Sequence, residues 1–335
     1  MGIIKIDENY PLIGHIAFGV IDRGTNVLQV RPTTICHMNC IYCSVDAGPK
    51  SKFRANEFVV KLDWLIEWIH AVAQYKGIPV EALIDGVGDP LTYGDIVNLI
   101  QVLKESPTVN KVTLETRGYL LDEGLIREFD EVGLDRINLS IDTLNPELAM
   151  YLQGVNRDLY DVSRIKELCE LIVKETNIDL HLTPVWLPGI NDKDIEEIIR
   201  WCLEIGCGKK VPPLGIQKYV RHKYGRNPKG VREAPWREFY RWLKDLEKKY
   251  GIKLLLKPSD YGIVKVKSLP ILFRIGDVID VEVLSEGWLR GEFIGRDLKR
   301  KRLITIVGGR PEVGEVVTAK IVRNKDNIYI GTLKP

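Results

Sequence analysis

The sequence predicts an α/β protein, an incomplete TIM-like parallel barrel of about six βα units followed by a small all-β barrel. Three observations predict it. Strand-like apolar runs alternate with helical-period segments from Val27 to about Lys257, the pattern of a parallel sheet with helices outside it. From about Ser268 short β runs broken by glycines take over, the pattern of a closed OB-like barrel. Each chemistry-bearing cluster in the first part follows a predicted strand, where the chemistry of such a barrel sits.

Bulk properties bound the function. The chain has 335 residues, 45% hydrophobic and 28% charged, with a net charge of +2, which suits about two globular domains. With so little net charge, affinity for nucleic acid must come from local patches. No apolar run approaches the roughly 20 residues of a membrane span. The N-terminus lacks the pattern of a secretory signal, and reduced thiols go with it, so the expected location is the cytoplasm.

Taken in order, residues 1–26 read as a lead-in. VLQVR is a buried strand running into the loop RPTTICHMNCIYCSVDAGP. The stretch 56–76 has helical spacing throughout. Then follow strand VEALI with the turn GVGDP, helix GDIVNLIQVLKE, strand KVTLETRG, helix DEGLIREFDEVG and strand RINLSIDT. A helix near 162–174, strand IDLHLTPVWLPG, helix NDKDIEEIIRWCLEIG and a sixth strand, PPLGIQKYV, complete the alternation. A basic loop and helix occupy 218–257, and GIKLLLKP reads as a closing strand. The boundaries expected are thus 1–26, 27–257, a linker at 258–267, and the β-barrel at 268–335.

Cys36, Cys40 and Cys43 stand in C-x3-C-x2-C spacing. Three thiolates with no evident fourth suit an iron–sulfur cluster with one iron left open, since a closed cluster normally takes four. A structural zinc would also need a fourth ligand, and His37 is badly placed to supply it. Tyr42, before the third cysteine, is flat enough to lie against a ring. The turn Gly86-Val87-Gly88-Asp89-Pro90 lets a ligand approach backbone amides and carbonyls, although such a string also makes an ordinary turn. Thr116 and Arg117 end one strand, and Ser140 and Asp142 end the next; a polar row pointing into a barrel is either a site or a satisfied interior network. Arg117, His181, Gln217, Lys218 and Tyr219 face the expected barrel mouth, with no catalytic acid or hydrogen donor assigned among them. Cys169, Cys202 and Cys207 lack metal-ligand spacing and read as small core hydrophobes. Lys299, Arg300, Lys301 and Arg302 form a basic tip between two strands, a phosphate contact or a solvated turn.

On these motifs the first part resembles the radical S-adenosylmethionine (radical SAM) superfamily, over about Val27 to Tyr219. The resemblance implies a [4Fe–4S] cluster held by Cys36, Cys40 and Cys43, with the open iron chelated by the methionine moiety of S-adenosylmethionine. It implies that Tyr42, Gly88, Asp89, Thr116, Ser140 and Leu187 contact that cofactor, with GVGDP in place of the family's GGEP element and Leu187 lining the adenine. INLSIDTLNPE is similar to enzymes of the first step of molybdenum-cofactor synthesis. The C-terminal segment, through IGDVIDVEV and PEVGEVVTAKIV, resembles the TRAM domain, an RNA-binding module. The combined expectation is an enzyme generating a 5′-deoxyadenosyl radical to modify a nucleoside in RNA, tRNA foremost. It takes electrons singly from an external donor such as a ferredoxin. The methylthiotransferases that carry both modules have three further N-terminal cysteines, which leaves methylthiolation disfavoured here. Two rival expectations are a radical SAM enzyme acting on a small molecule, with the β-barrel as lid, and a non-enzymatic RNA-binding protein with a structural metal.

Overall fold

The computed structural model describes residues 2–333; residue 1 and residues 334–335, the outer ends of the expected lead-in and β-barrel, lie outside it. Contacts gather the chain into two discontinuous units. One takes the chain up to Ile35, Lys52–Lys111 and everything from Val264 onward; the other takes Cys36–Ser51 and Val112–Ile263.

In the first unit, strand Val27–Arg31 lies parallel to Val80–Ile84 and antiparallel to Gly19–Asp22. The helix between the two parallel strands is Leu62–Lys76, stopped by Gly77 at φ 73°, the left-handed conformation that glycine adopts at no cost. The helical period read across 56–76 fails in its first turn: Asn56–Val60 is a strand, parallel to Gly2–Ile6. Phe58, Val59 and Val60 favour extended backbone, and so short an apolar run has no distinguishing period. A buried ion pair, Lys76 Nζ to Asp22 at 2.6 Å, locks the helix to the sheet. Asp22 also accepts from the Leu269 N–H, and Lys76 donates to the Lys267 carbonyl.

The C-terminal strands Val278–Glu286, Phe293–Asp297, Leu303–Val307, Val316–Arg323 and Ile330–Leu333 close into a barrel. They run in the order first, second, third, fifth, fourth; the third and fifth are parallel and the other pairs antiparallel. Alternate residues fill its core: Val281 and Val283, Ile304 and Ile306, Ala319 and Ile321, with Tyr329. The expected lead-in is built into this barrel. Leu303 N–H donates to the Ile13 carbonyl, Tyr329 N–H to Gly14, and Arg296 to Asn9. Gly14 sits at φ 129° with its missing side chain aimed at the Leu303 backbone, so only glycine fits.

The second unit holds the end of Val109–Thr116, then Arg136–Leu139 and Asp179–Leu182, three parallel strands. Helices Glu123–Glu131, Pro146–Gln153, Val162–Glu175 and Asp192–Ile205 accompany them. Asn145 caps Pro146–Gln153, accepting from the Glu147 and Leu148 N–H groups, with proline at the first helical position, where no donor is missed. The long strand expected over IDLHLTPVW is broken at Pro184, and only Val185–Trp186 resumes it. The expected sixth strand shrinks to Gln217–Lys218, parallel to Val185–Trp186, because Pro212 and Pro213 have no N–H for a ladder. The expected closing strand is no strand. The Leu254 and Leu255 N–H groups donate to the Glu247 carboxylate instead.

Candidate active site

The cysteine loop, 36–51, belongs to the second unit and has no regular structure of its own. Three neighbours hold it. Asn39 and Ile41 donate to the Gln153 and Leu152 carbonyls at 2.9 Å each, at the end of helix Pro146–Gln153. Gly154 caps that helix at φ 64° and faces the Asn39 carbonyl so closely that a Cβ would overlap it. From the basic loop, Arg226 donates to Asp46 at 2.8 Å, to the Ala47 carbonyl at 2.6 Å and to the Cys40 carbonyl at 3.2 Å. Its own N–H donates to the Cys43 carbonyl.

The loop supplies sulfur donors. Cys40 is buried and its Sγ donates to Gln153 Oε1 at 2.9 Å. Burial pushes its thiol up to about 11, with the guanidinium groups of Arg117 and Arg226 pulling the other way. The Ala47 N–H points at Cys43 Sγ, 3.2 Å away, and hydrogen bonds to sulfur are one of the means by which a protein tunes an iron–sulfur cluster. Among the described residues no three His, Cys, Asp or Glu side chains converge as a metal-holding group. The fit to a cluster therefore rests on donor type, their single loop and the N–H aimed at sulfur.

One carboxylate organises this unit. Asp142, buried at the end of strand Arg136–Leu139, accepts from the Tyr42 hydroxyl, from Arg117 at 2.9 Å, from Gln153 at 3.0 Å and from the Val185 N–H at 2.8 Å. Arg117 also lies over the Tyr42 ring. Burial works against the Arg117 charge, but Cys40, Tyr42 and Asp142 around it hold its pKa well above the usual value. The string NLSID had displayed Asp142, through the alternation of Ser140 and Asp142; nothing in the sequence displayed Gln153 or Arg226.

The other expected cofactor contacts are placed as follows. In the first unit, the Asp89 N–H donates to the Ile35 carbonyl, one residue before Cys36 in the chain, and the Asp89 side chain caps the following turn at Leu91. Gly88 is pressed against the Thr34 and Ile35 backbone, leaving no room for a Cβ. Arg54, fully buried and unmarked by any motif, joins these segments by donating to the Thr34 carbonyl, to Glu57 and to the Val87 carbonyl. In the second unit, the Thr116 hydroxyl accepts from the Gly118 N–H, and Ser140 pairs with Thr183 at 3.1 Å. Leu187 is fully buried, with its N–H on Asn191.

Of the residues expected at the barrel mouth, His181 is enclosed, bonded to the Pro212 carbonyl and the Tyr261 hydroxyl. Lys218 pairs with Glu233, and Tyr219 donates to Asn227. These partners are structural ones, and Gln217 is exposed beside them. Cys169, Cys202 and Cys207 come together. The Cys207 N–H donates to the Cys202 carbonyl past Gly206 at φ 85°, a helix-ending turn that brings these two side chains into contact. The Cys202 thiol is raised by its side-chain hydrogen bond with Cys207, which favours the protonated form, and by burial, and Cys169 lies near enough to add to it.

In the first unit, Asp297 folds the basic turn by accepting from the Lys299, Lys301 and Arg302 N–H groups. Lys299, Arg300 and Lys301 are exposed. Arg302 is not part of the exposed tip: it is 6% accessible, with its guanidinium on the Lys301 and Pro270 carbonyls. It stands just before strand Leu303–Val307, so the exposed tip is carried by Lys299, Arg300 and Lys301 alone.

Comparison with known proteins places this geometry. The Radical SAM superfamily pattern matches residues 30–202. An uncharacterized protein of Methanocaldococcus jannaschii is 39% identical over 98% of this chain and 80% of its own. A GTP 3′,8-cyclase of Peptoclostridium acidaminophilum is 30% identical over 53% of this chain, which spans only about half of that relative's length (51%). Among solved structures, Streptococcus suis SuiB bound to S-adenosylmethionine matches 73% of this chain and 50% of its own, with TM-score 0.52 and 19% identity. That last likeness is one of fold. The chain belongs to the radical SAM superfamily, and its cofactors are the [4Fe–4S] cluster and S-adenosylmethionine.

Proposed function

We propose that the protein modifies a nucleoside in RNA, tRNA foremost, in the cytoplasm, with Cys36, Cys40 and Cys43 as the cluster ligands. The observation that carries this is the C-terminal barrel. Its five closed strands support an OB-like, TRAM-type RNA module, and its exposed turn offers Lys299, Arg300 and Lys301 to phosphates. When bound, the cluster and S-adenosylmethionine supply a 5′-deoxyadenosyl radical, given single electrons from an external carrier such as a ferredoxin. The chain's part is to hold and exclude. Arg226, Gly154 and Gln153 fix the cysteine loop, Asp142 fixes Tyr42 against Arg117, and Tyr42, Gly88, Asp89, Thr116, Ser140 and Leu187 are the proposed cofactor contacts. A second reading, a free small-molecule substrate, is favoured by the relatives named GTP 3′,8-cyclase.

Nucleoside profiles of RNA from cells with and without the gene test the choice. A modified nucleoside should vanish on deletion and return with the wild-type gene but not with Cys36→Ala, Cys40→Ala or Cys43→Ala. Unchanged profiles, with turnover of a free nucleotide by the purified enzyme, would establish the second reading.

A further inference from the structure

Residues 218–250 carry eleven Lys and Arg against four Asp and Glu, a net +7 in a chain whose total is only +2. The segment ends in helix Trp236–Tyr250, which divides into two faces. Phe239, Leu243 and Leu246 are buried, and Trp242 stacks on Trp186 with ring centroids 4.2 Å apart. The opposite arc presents Trp236, Arg237, Tyr240, Arg241, Lys244 and Lys248, positions that fall together at 100° per residue. All six are exposed. Among the described residues no ion pair engages the four cations.

Trp236 and Tyr240 stay 54% and 52% accessible, an unusual exposure for two large aromatics set side by side. They are already ordered. Their rings stack at 5.7 Å and 26°, and Lys218 Nζ stands 4.9 Å from the Trp236 centroid, itself held by Glu233 at 2.8 Å. A flat, preformed aromatic surface edged by unpaired cations complements a base with its phosphates, since every base has a face to stack and every linkage a charge. Trp, Tyr and Arg also mark protein interfaces, but four cations along the same arc as the rings favour a polyanion with bases to stack. The same segment is latched to the cysteine loop through Arg226, within one unit.

We propose that Trp236 and Tyr240 form a stacking platform for an unpaired RNA nucleotide, with Arg237, Arg241, Lys244 and Lys248 taking the flanking phosphates. This deepens the RNA reading and rests on it. A duplex keeps its bases stacked on one another, so the platform selects single-stranded or flipped-out nucleotides. The barrel turn at Lys299–Lys301 is then a separate contact, able to hold structured RNA through its backbone without reading a base.

Fluorescence anisotropy of the full chain with a labelled, unstructured RNA 12-mer, and with its duplex, tests the assignment. Tyr240→Ala and Trp236→Ala should each weaken single-strand binding roughly five- to hundredfold, with Tyr240→Phe near wild type and the salt dependence unchanged. Changing the four cations to Gln should instead lower the slope of log affinity against log salt by about 2 to 3. Duplex binding should ignore the aromatic variants. Tyr240→Ala binding the single strand as wild type does, in a chain with unchanged thermal unfolding, would overturn the proposal. So would charge variants that spare RNA binding and slow reduction of the cluster by an acidic electron-carrier protein, which would assign this face to that donor. If only a Lys299, Arg300 and Lys301 variant loses RNA, the platform fails and the RNA function stands; if no RNA binds the wild type, both fall.

Discussion

At the scale of single residues, burial decides more than motif. His15 and His181, one in each unit, are enclosed neutral imidazoles. Burial lowers His15 to about 3, with Arg31 adding to it. It lowers His181 to about 4, where the Pro212 carbonyl and Asp179 pull upward and Arg136 downward. An unfolded histidine titrates near 6.5, so as the pH falls the unfolded chain takes up protons first. The stability these groups contribute is complete above about 6.5 and is lost as the pH drops toward their folded values. Between pH 7.5 and 5 each should cost on the order of 2 kcal/mol. Urea midpoints at the two pH values should therefore differ less in His15→Gln and His181→Gln than in wild type; an equal difference would remove histidine from the explanation. The sequence placed His181 among the residues facing the expected barrel mouth, on the predicted strand IDLHLTPVWLPG. Its enclosure by Pro212, Gly215 and Tyr261 comes from segments distant in the chain, which no local pattern reports.

At the scale of elements, the parallel strands and most helices were legible because their apolar periods run undisturbed, whereas the losses fall where backbone donors are missing or diverted. Pro184, Pro212 and Pro213 cut strands that their apolar neighbours advertised, and Glu247 captured the N–H groups of another. The cysteine loop shows the converse. Its spacing was read directly, but its support is tertiary, above all the contact of Gly154 with Asn39. Gly154→Ala should force that carbonyl away, costing about 1–3 kcal/mol, and should lower the iron retained per chain after gel filtration. Gly251→Ala is the control, since Gly251 also caps a helix at φ 67° but has nothing near its missing Cβ. It should cost only about 1 kcal/mol for the left-handed backbone and leave iron content unchanged. Equal iron in the two variants would show that the Gly154 contact does not position the loop.

At the scale of the molecule, the change of composition near Ser268 correctly announced a β-barrel but also suggested a module separable from what precedes it. The contacts of Asn9, Ile13 and Gly14 with barrel strands, and of Asp22 and Lys76 with the residues leading into it, tie the barrel into the first unit. Sequence could not reveal this, because every one of those links joins backbone groups or charges some 200 residues or more apart. Ending the chain at Lys267 should therefore unbury apolar surface around residues 9–22 and yield aggregating or thermally destabilised protein. A soluble truncated chain melting within a degree or two of wild type in differential scanning fluorimetry would show that the barrel is a true appendage.

The first unit also sets a timetable for the chain as it is made. Its two earlier segments are complete by Lys111, yet their remaining partners begin only at Val264. At about 5–20 residues per second of synthesis, the nascent segment from Asn9 to Asp22 waits roughly fifteen to sixty seconds for the barrel residues that complete its contacts. The second unit, apart from its cysteine loop, is a single uninterrupted stretch. It can fold on the ribosome during that interval, while the older half of the first unit remains unfinished and dependent on chaperones or on its own solubility.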